Sequence, residues 1–154
     1  MKWEDSLTPG LEALQRRLAQ GEHLVKIGLP DAAKETRDGI ESVLDLGGTA
    51  LVNEFGSQDG RIPERPAWRM ALAHGSKDFN RLNAVNLRLI AVGNKTIPQA
   101  LEELGMMGVA KVKTEIVEGD FVANAPSTIA KKGSSRPLVD TAQEKNSVTY
   151  EVVS

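Results

Sequence analysis

The chain has 154 residues, 19 of them Lys or Arg and 21 Asp or Glu, and the net charge of −2 excludes the strong general attraction to nucleic acid of a basic domain. The absence of cysteine excludes disulfides, thiolate nucleophiles and cysteine-based zinc sites. With no run of about 18 apolar residues and an acidic N-terminus, we expect one domain over residues 1–154 that is soluble and intracellular when made.

The first third of the chain predicts one helix and two β segments. Thr8 and Pro9 start a helix over about 9–20, in which leucines recur at helical spacing. Residues 22–28 alternate between apolar and polar, which predicts a strand. Residues 42–55 contain Gly47 and Gly48 and predict either two short strands or one strand with a bulge. We expect the two β segments to pair as an antiparallel hairpin.

The middle of the chain predicts a loop and two long helices. Glycines and prolines mark residues 56–65 as a loop, and Pro66 suits the first turn of a helix that Gly93 ends. A kink at Gly75–Ser76 is possible, and the apolar face of this helix is predicted as Trp68, Leu72, Phe79, Leu82, Val85 and Leu89.

Thr96 to Gln99 form a capping box that starts the next helix. One face of that helix is expected out of water: Leu101, Leu104, Gly108, Val112 and Ile116. Gly105 and Gly108 in the helix interior indicate that another backbone comes close there.

The last third begins with a long polar loop, residues 123–141, in which the positions of two prolines and a glycine predict a defined shape. Pro126 positions Ser127 as the N-cap of a one-turn helix, Gly133 suits its C-cap, and Pro137 enforces extended backbone before it. Thr141 to Glu144 have capping-box spacing and predict one helical turn. The alternation of Val148, Tyr150 and Val152 then predicts a strand that joins the hairpin.

These elements predict an α+β fold: a small antiparallel sheet of about three to five strands packed against two or three helices, with long ordered loops. A sheet of so few strands leaves its edges open. Open edges and a glycine-lined helix suggest, as a hypothesis, that copies of the protein pack into a ring.

The sequence predicts no metal site and no cofactor. Neither His23 nor His74 has a second strong ligand at a spacing that shares a helix face, and the glycines form no phosphate loop. The basic residues Lys131, Lys132 and Arg136 favour a rim contact to protein over DNA. Asp140, with Lys132 and nearby serines, leaves a small hydrolase or phosphate-binding domain as an alternative, although helix capping explains Asp140–Thr141 more simply.

Four ordered blocks carry a family resemblance. They are Asn53–Ser57, Ile62–Arg69, Asn124 through Thr141, and Asn146–Tyr150, with an Ala-Leu-Glu-x-Leu-Gly helix at Ala100–Gly105 between the second and third. Together they resemble the neck proteins of tailed bacteriophages, in the virion-morphogenesis or tail-completion family, over about residues 45–153. The chain departs from that pattern at Ala67–Trp68, where proline-aromatic-leucine is more usual, at Ala142, where glycine is usual, and at Glu144–Lys145, where an apolar residue is common.

The resemblance implies a non-enzymatic α+β protein located in the virion neck. It implies a ring, usually of six copies, between the head connector or adaptor proteins and the tail terminator or tail tube proteins, with DNA passing through without specific binding. It also implies that loops 56–65 and 123–141 contact neighbouring subunits. The residues expected at these contacts are Phe55, Ile62, Pro63, Arg65, Trp68, Asn124, Pro126, Ser127, Thr128, Lys132, Arg136, Pro137, Leu138, Asp140 and Thr141.

A tail terminator, which caps the tail tube before the head arrives, is the alternative structural interpretation. In either role, loops that become fixed only against a neighbour lose conformational entropy on assembly, which the interface must offset. We therefore expect a free protein that is monomeric or weakly associated and mobile over residues 123–140.

Overall fold

The computed structural model describes residues 9–19, 23–30, 36–37, 40–41, 45–126, 129–130 and 143–153. Five helices are labelled within these ranges: α1 (Pro9–Leu18), α2 (Leu46–Phe55), α3 (Ala67–Ala91), α4 (Ile97–Glu118) and α5 (Gln143–Ser147). Four short strands accompany them: β1 (Leu24–Gly28), β2 (Thr36–Arg37), β3 (Ile40–Glu41) and β4 (Thr149–Val153). The protein is mainly helical.

The predicted sheet of three to five strands is therefore wrong. Within the described residues, β1 pairs only with β4, and β2 pairs antiparallel with β3 through Thr36–Glu41 and Arg37–Ile40. The predicted strands at 22–28 and 148–152 are confirmed as β1 and β4. The predicted hairpin between 22–28 and 42–55 is wrong for the described residues, because 46–55 are helical and β1 pairs with β4.

The main error concerns residues 42–55, of which 46–55 form α2. Asp45 is the N-cap of α2, and its Oδ1 accepts a 2.6 Å hydrogen bond from the Gly48 N–H. Leu46, Ala50 and Glu54 are buried at a spacing of four, which is the period of a helix and not of a strand. Gly47 and Gly48 lie in the first turn of this helix, where the cap offsets their low helix propensity.

The long helices are confirmed. α3 runs without interruption through Gly75–Ser76, and Gly93 ends it with a positive φ of 80°. Its buried face differs from the predicted one, because Leu72 and Val85 are exposed whereas Ala71 and Asn86 are buried. The capping box of α4 is confirmed: the Gln99 N–H donates to Thr96 Oγ1, and the Thr96 N–H donates to Gln99 Oε1.

Gly105 receives a side chain and not the backbone that we predicted. A Cβ at this position would overlap the ring of Tyr150 on β4. The face of α4 predicted to avoid water is confirmed, since Gly108, Val112 and Ile116 are buried and Leu101 and Leu104 are half-buried.

The chain divides into two compact units. Unit 1 comprises Met1–Lys26, Ser76–Met107 and Tyr150–Ser154, and unit 2 comprises Ile27–Gly75 and Gly108–Thr149. In unit 1, Arg17 of α1 donates through Nη1 to the carbonyls of Ile90 and Ala91, both at 2.9 Å, and so binds the C-terminal end of α3. The buried Asn86 accepts a 2.7 Å hydrogen bond from Lys95, which also pairs with Glu103.

The core of unit 2 brings together helices α3 and α4 and the residue before β4. Its buried members are Ala67, Ala71, Val112, Ile116 and Val148, with Ile27, Leu29, Trp68, Val109 and Phe121 packed against them. α2 packs against α5 in the same unit. Every predicted contact residue that the structure describes belongs to unit 2.

Candidate functional site

Glu54 joins the end of α2 to the start of α3. Glu54 is only 5% exposed, and its carboxylate accepts hydrogen bonds from the backbone N–H groups of Trp68 and Arg69, both at 3.0 Å. These N–H groups belong to the first turn of α3 and have no partner within the helix. Arg69 also pairs with the same carboxylate through Nε at 3.0 Å and with Glu64 at 2.6 Å. The hydrogen bond to Glu54, and to a smaller extent the one to Glu64, raises the pKa of Arg69 above its usual value.

The predicted contact loop 56–65 is held in shape by its own hydrogen bonds. Ser57 donates from its N–H to the Ile62 carbonyl at 3.0 Å and from its hydroxyl to Asp59 Oδ1 at 2.6 Å. The N–H of Ile62 donates back to Ser57 Oγ, and that of Arg61 donates to Asp59. The Ser57 hydroxyl, followed by the Arg61 N–H, lowers the pKa of the Asp59 carboxyl. Gly56 and Gly60 supply positive φ angles of 76° and 71° at the turns.

Arg65 connects this loop to the start of the second predicted loop. Its Nε donates to the Val122 carbonyl at 3.0 Å, and its Nη2 donates to Asn124 Oδ1 at 3.2 Å. Its backbone N–H donates to the Asn53 carbonyl at 2.7 Å. Arg65 is 7% exposed, and this burial lowers the pKa of its guanidinium. Arg65 thus joins the ends of two segments, 56–65 and 123–141, that were predicted separately as contact loops.

Trp68 at the start of α3 contacts Glu144 of α5. Trp68 Nε1 donates a 3.1 Å hydrogen bond to Glu144 Oε1, and Glu144 is buried on α5. Burying a carboxylate without a hydrogen-bond partner costs free energy, and the hydrogen bond from the Trp68 indole reduces that cost for Glu144. The side chains of Trp68 and Arg65 therefore have hydrogen-bond partners within the chain.

Four exposed apolar residues lie on the segments that the hydrogen bonds of Arg65 and loop 56–65 connect. Leu51 and Phe55 lie one turn apart on the outer face of α2, each 61% exposed. Ile62 is 39% exposed, and its carbonyl oxygen lies against Gly56. Val122 is 61% exposed, and its carbonyl accepts the hydrogen bond from Arg65. We call these four residues, Leu51, Phe55, Ile62 and Val122, the apolar patch. Leu51 and Val122 were not predicted from the sequence, although the burial of Leu46, Ala50 and Glu54 requires Leu51 to face outward once α2 is a helix.

The other predicted contact residues are only partly described. Pro63 is half-buried and Pro126 is exposed. Pro126 lies in a helical turn, in which the Ile129 N–H donates to the Ala125 carbonyl at 2.9 Å. Ala125 is therefore the N-cap, two residues before the predicted N-cap Ser127. The remaining predicted contacts lie outside the described residues: Ser127, Thr128, Lys132, Arg136, Pro137, Leu138, Asp140 and Thr141.

Within the described ranges, the side chains form no cluster of three or more His, Asp or Glu residues able to hold a metal. His74 is exposed and pairs with Glu115 at 3.0 Å, and both ring nitrogens of His23 are buried with no hydrogen-bond partner. None of the described helices has the length and apolar character needed to cross a bilayer. Comparison of the chain with protein-family models, with curated proteins and with solved structures gives no significant match.

Proposed function

We propose that this chain is a structural virion protein that joins the head connector of a tailed bacteriophage to its tail, acting as a ring in the neck. Its partners are copies of itself, the connector or adaptor above and the tail terminator or tail tube below, and DNA passes through the ring. The proposal begins from the four ordered sequence blocks of the tail-completion resemblance, and it does not depend on the α+β sheet that we corrected above.

The observation that carries the proposal is the apolar patch beside the two connected loops. Exposed apolar patches of a few hundred Å² on soluble proteins usually mark contacts with other proteins. Here the patch is prearranged, because the internal hydrogen bonds of loop 56–65 and the Arg65 contacts fix the backbone that carries Ile62 and Val122. A prearranged surface loses little conformational entropy on binding, which favours assembly.

Removal of the chain from a phage that encodes it tests the role. Electron microscopy of the resulting particles should show tails of normal length beside full, unattached heads. Tails of uncontrolled length would instead identify the chain as a tail terminator. Virions that contain no copy of this polypeptide would overturn both structural roles.

A patch variant tests the surface within that role. Leu51→Ser with Ile62→Ser should reduce the yield of joined particles at least about tenfold while leaving the circular dichroism spectrum unchanged, because both side chains are exposed. Leu72→Ser is the matched control, since Leu72 is a 57% exposed leucine of the same unit outside the patch. Equal losses in the patch variant and the control would contradict a specific contact.

A further inference from the structure

The outer face of α3 in unit 1 carries cationic and aliphatic side chains in one row. Positions 77, 81, 85, 88 and 92 fall within about 80° of one another around a helix of 3.6 residues per turn. All five residues are exposed, and the Val92 N–H continues the helical hydrogen bonding to the Arg88 carbonyl at 3.2 Å. We call this row the basic stripe: Lys77, Arg81, Val85, Arg88 and Val92. In the part of the chain that the structure describes, its cations form no ion pair.

The apolar patch in unit 2 has the opposite charge beside it. Arg61 pairs with Asp59 at 3.2 Å, and Arg69 pairs with Glu54 and Glu64, so the charges of the neighbouring loop neutralise one another. Glu118 and Asp120, four and two residues before Val122, are exposed and make no ion pair with another described residue. They leave the Val122 side of the patch acidic.

We propose that the basic stripe of one copy docks on the acidic side of the apolar patch of the next copy. Val85 and Val92, 47% and 67% exposed, would cover apolar patch side chains, while Arg81 and Arg88 would approach Glu118 and Asp120. The two surfaces differ, so the contact is heterologous, which is the kind of contact that generates rings. The inference rests on the proposed ring and names the surfaces that form it.

Charge and composition favour a second copy over nucleic acid as the occupant of the stripe. Phosphate backbones are bound by cations and polar groups, and exposed valines between the arginines add nothing to such a contact. The net charge of −2 also gives the chain no general attraction to DNA. A surface that is both apolar and acidic matches both kinds of side chain in the stripe.

Engineered cysteines test the contact directly, because the natural chain contains none. Val85→Cys and Val122→Cys replace exposed residues, so both variants should fold. When the two variants are mixed and oxidised, we expect disulfide-linked dimers to form at least about tenfold faster than in a mixture of Val85→Cys with Thr114→Cys, a control at an exposed position of α4. Equal rates in the two mixtures overturn the proposal.

Charge reversal provides an independent test that does not use cysteine. Arg81→Glu with Arg88→Glu reverses the stripe, and Glu118→Arg with Asp120→Arg reverses the acidic pair. Each double variant alone should associate at least about tenfold more weakly than wild type in sedimentation, because every contact then joins like charges. A mixture of the two should regain association, since each copy then finds a complementary surface. Failure of the mixture to recover overturns the proposal.

Three outcomes separate this inference from its premise and from nucleic-acid binding. If joined particles require the chain but no Val85–Val122 disulfide forms, the proposed function survives and the surfaces are wrong. If the disulfide forms but virions lack the chain, the contact between copies stands and the neck role fails. If a random-sequence DNA duplex binds wild type and not the stripe variant, while the cysteine mixture stays unlinked, the stripe is a nucleic-acid surface and the proposal is overturned.

Discussion

Glu54 shows at the residue scale how one side chain fixes the geometry of the candidate surface. It belongs to α2, yet it satisfies two free N–H groups of α3 and pairs with Arg69. A negative charge is favourable at a helix N-terminus, where the unpaired N–H groups point outward. Glu54, which precedes loop 56–65, is thus bonded to Trp68 and Arg69, which follow it, and these bonds fix both ends of the loop.

Glu54→Ala should lower the free energy of unfolding by about 1–3 kcal/mol, because it leaves two part-buried N–H groups of α3 without their acceptor. Urea denaturation measures this change. Glu64→Ala is the control, since it removes an exposed partner of the same arginine, and it should cost less than about 1 kcal/mol. Similar losses for the two variants would mean that the cap contributes little.

Gly105 gives a second prediction at this scale. A methyl group there would collide with the Tyr150 ring, so Gly105→Ala should destabilise unit 1 by roughly 1–3 kcal/mol. In a Tyr150→Ala background the collision disappears, and the same substitution should be neutral or stabilise by up to about 1 kcal/mol through its helix propensity. Thermal unfolding of the four proteins completes the cycle, and an unchanged effect in the second background would show that the ring is not the cause.

At the scale of elements, local capping chemistry was readable from the sequence where several signals agreed. Thr96, Pro98 and Gln99 predicted the start of α4, and the reciprocal hydrogen bonds are present. Residues 46–55 misled because Gly47 and Gly48 suggested a bulge, whereas Asp45 and the four-residue spacing from Leu46 carried the correct signal. The long-range contacts Arg65–Asn124 and Trp68–Glu144 have no local signature, since they depend on which elements pack together.

Thr96→Ala should therefore lower the free energy of unfolding by about 1 kcal/mol, the usual effect of losing an N-cap. Thr114→Ala, at an exposed position inside the same helix, should change it by no more than about 0.5 kcal/mol. Chemical denaturation followed by circular dichroism compares the two. A loss at position 114 equal to that at position 96 would contradict a specific role of the cap.

At the scale of the whole molecule, the prediction of a single domain remains a prediction, because the two compact units divide both α3 and α4 between them. The contact residues expected from the sequence between Phe55 and Thr141 likewise remain a prediction. The sequence did not reveal the apolar patch, because the exposure of Leu51 and Val122 depends on how α2 and the 121–126 segment fold.

The free protein should be largely monomeric at low micromolar concentration. The patch has four residues, whereas each side of a stable interface contributes roughly 20–30, and the charged contacts beside it are screened by salt. Sedimentation should show association that increases with protein concentration and decreases between about 50 and about 500 mM salt. A salt-insensitive complex at nanomolar concentration would contradict a weak, partly electrostatic contact.

The closed hydrogen bonding of loop 56–65 has a consequence for solubility. Ser57, Gly60, Arg61 and Ile62 all donate their backbone N–H groups within the loop. Those groups cannot be recruited by an extended segment of another chain, which is how exposed strand edges nucleate fibrils. Loop 56–65 can therefore display Ile62 in crowded surroundings without offering free backbone N–H groups at Ser57, Gly60, Arg61 or Ile62 for fibril growth.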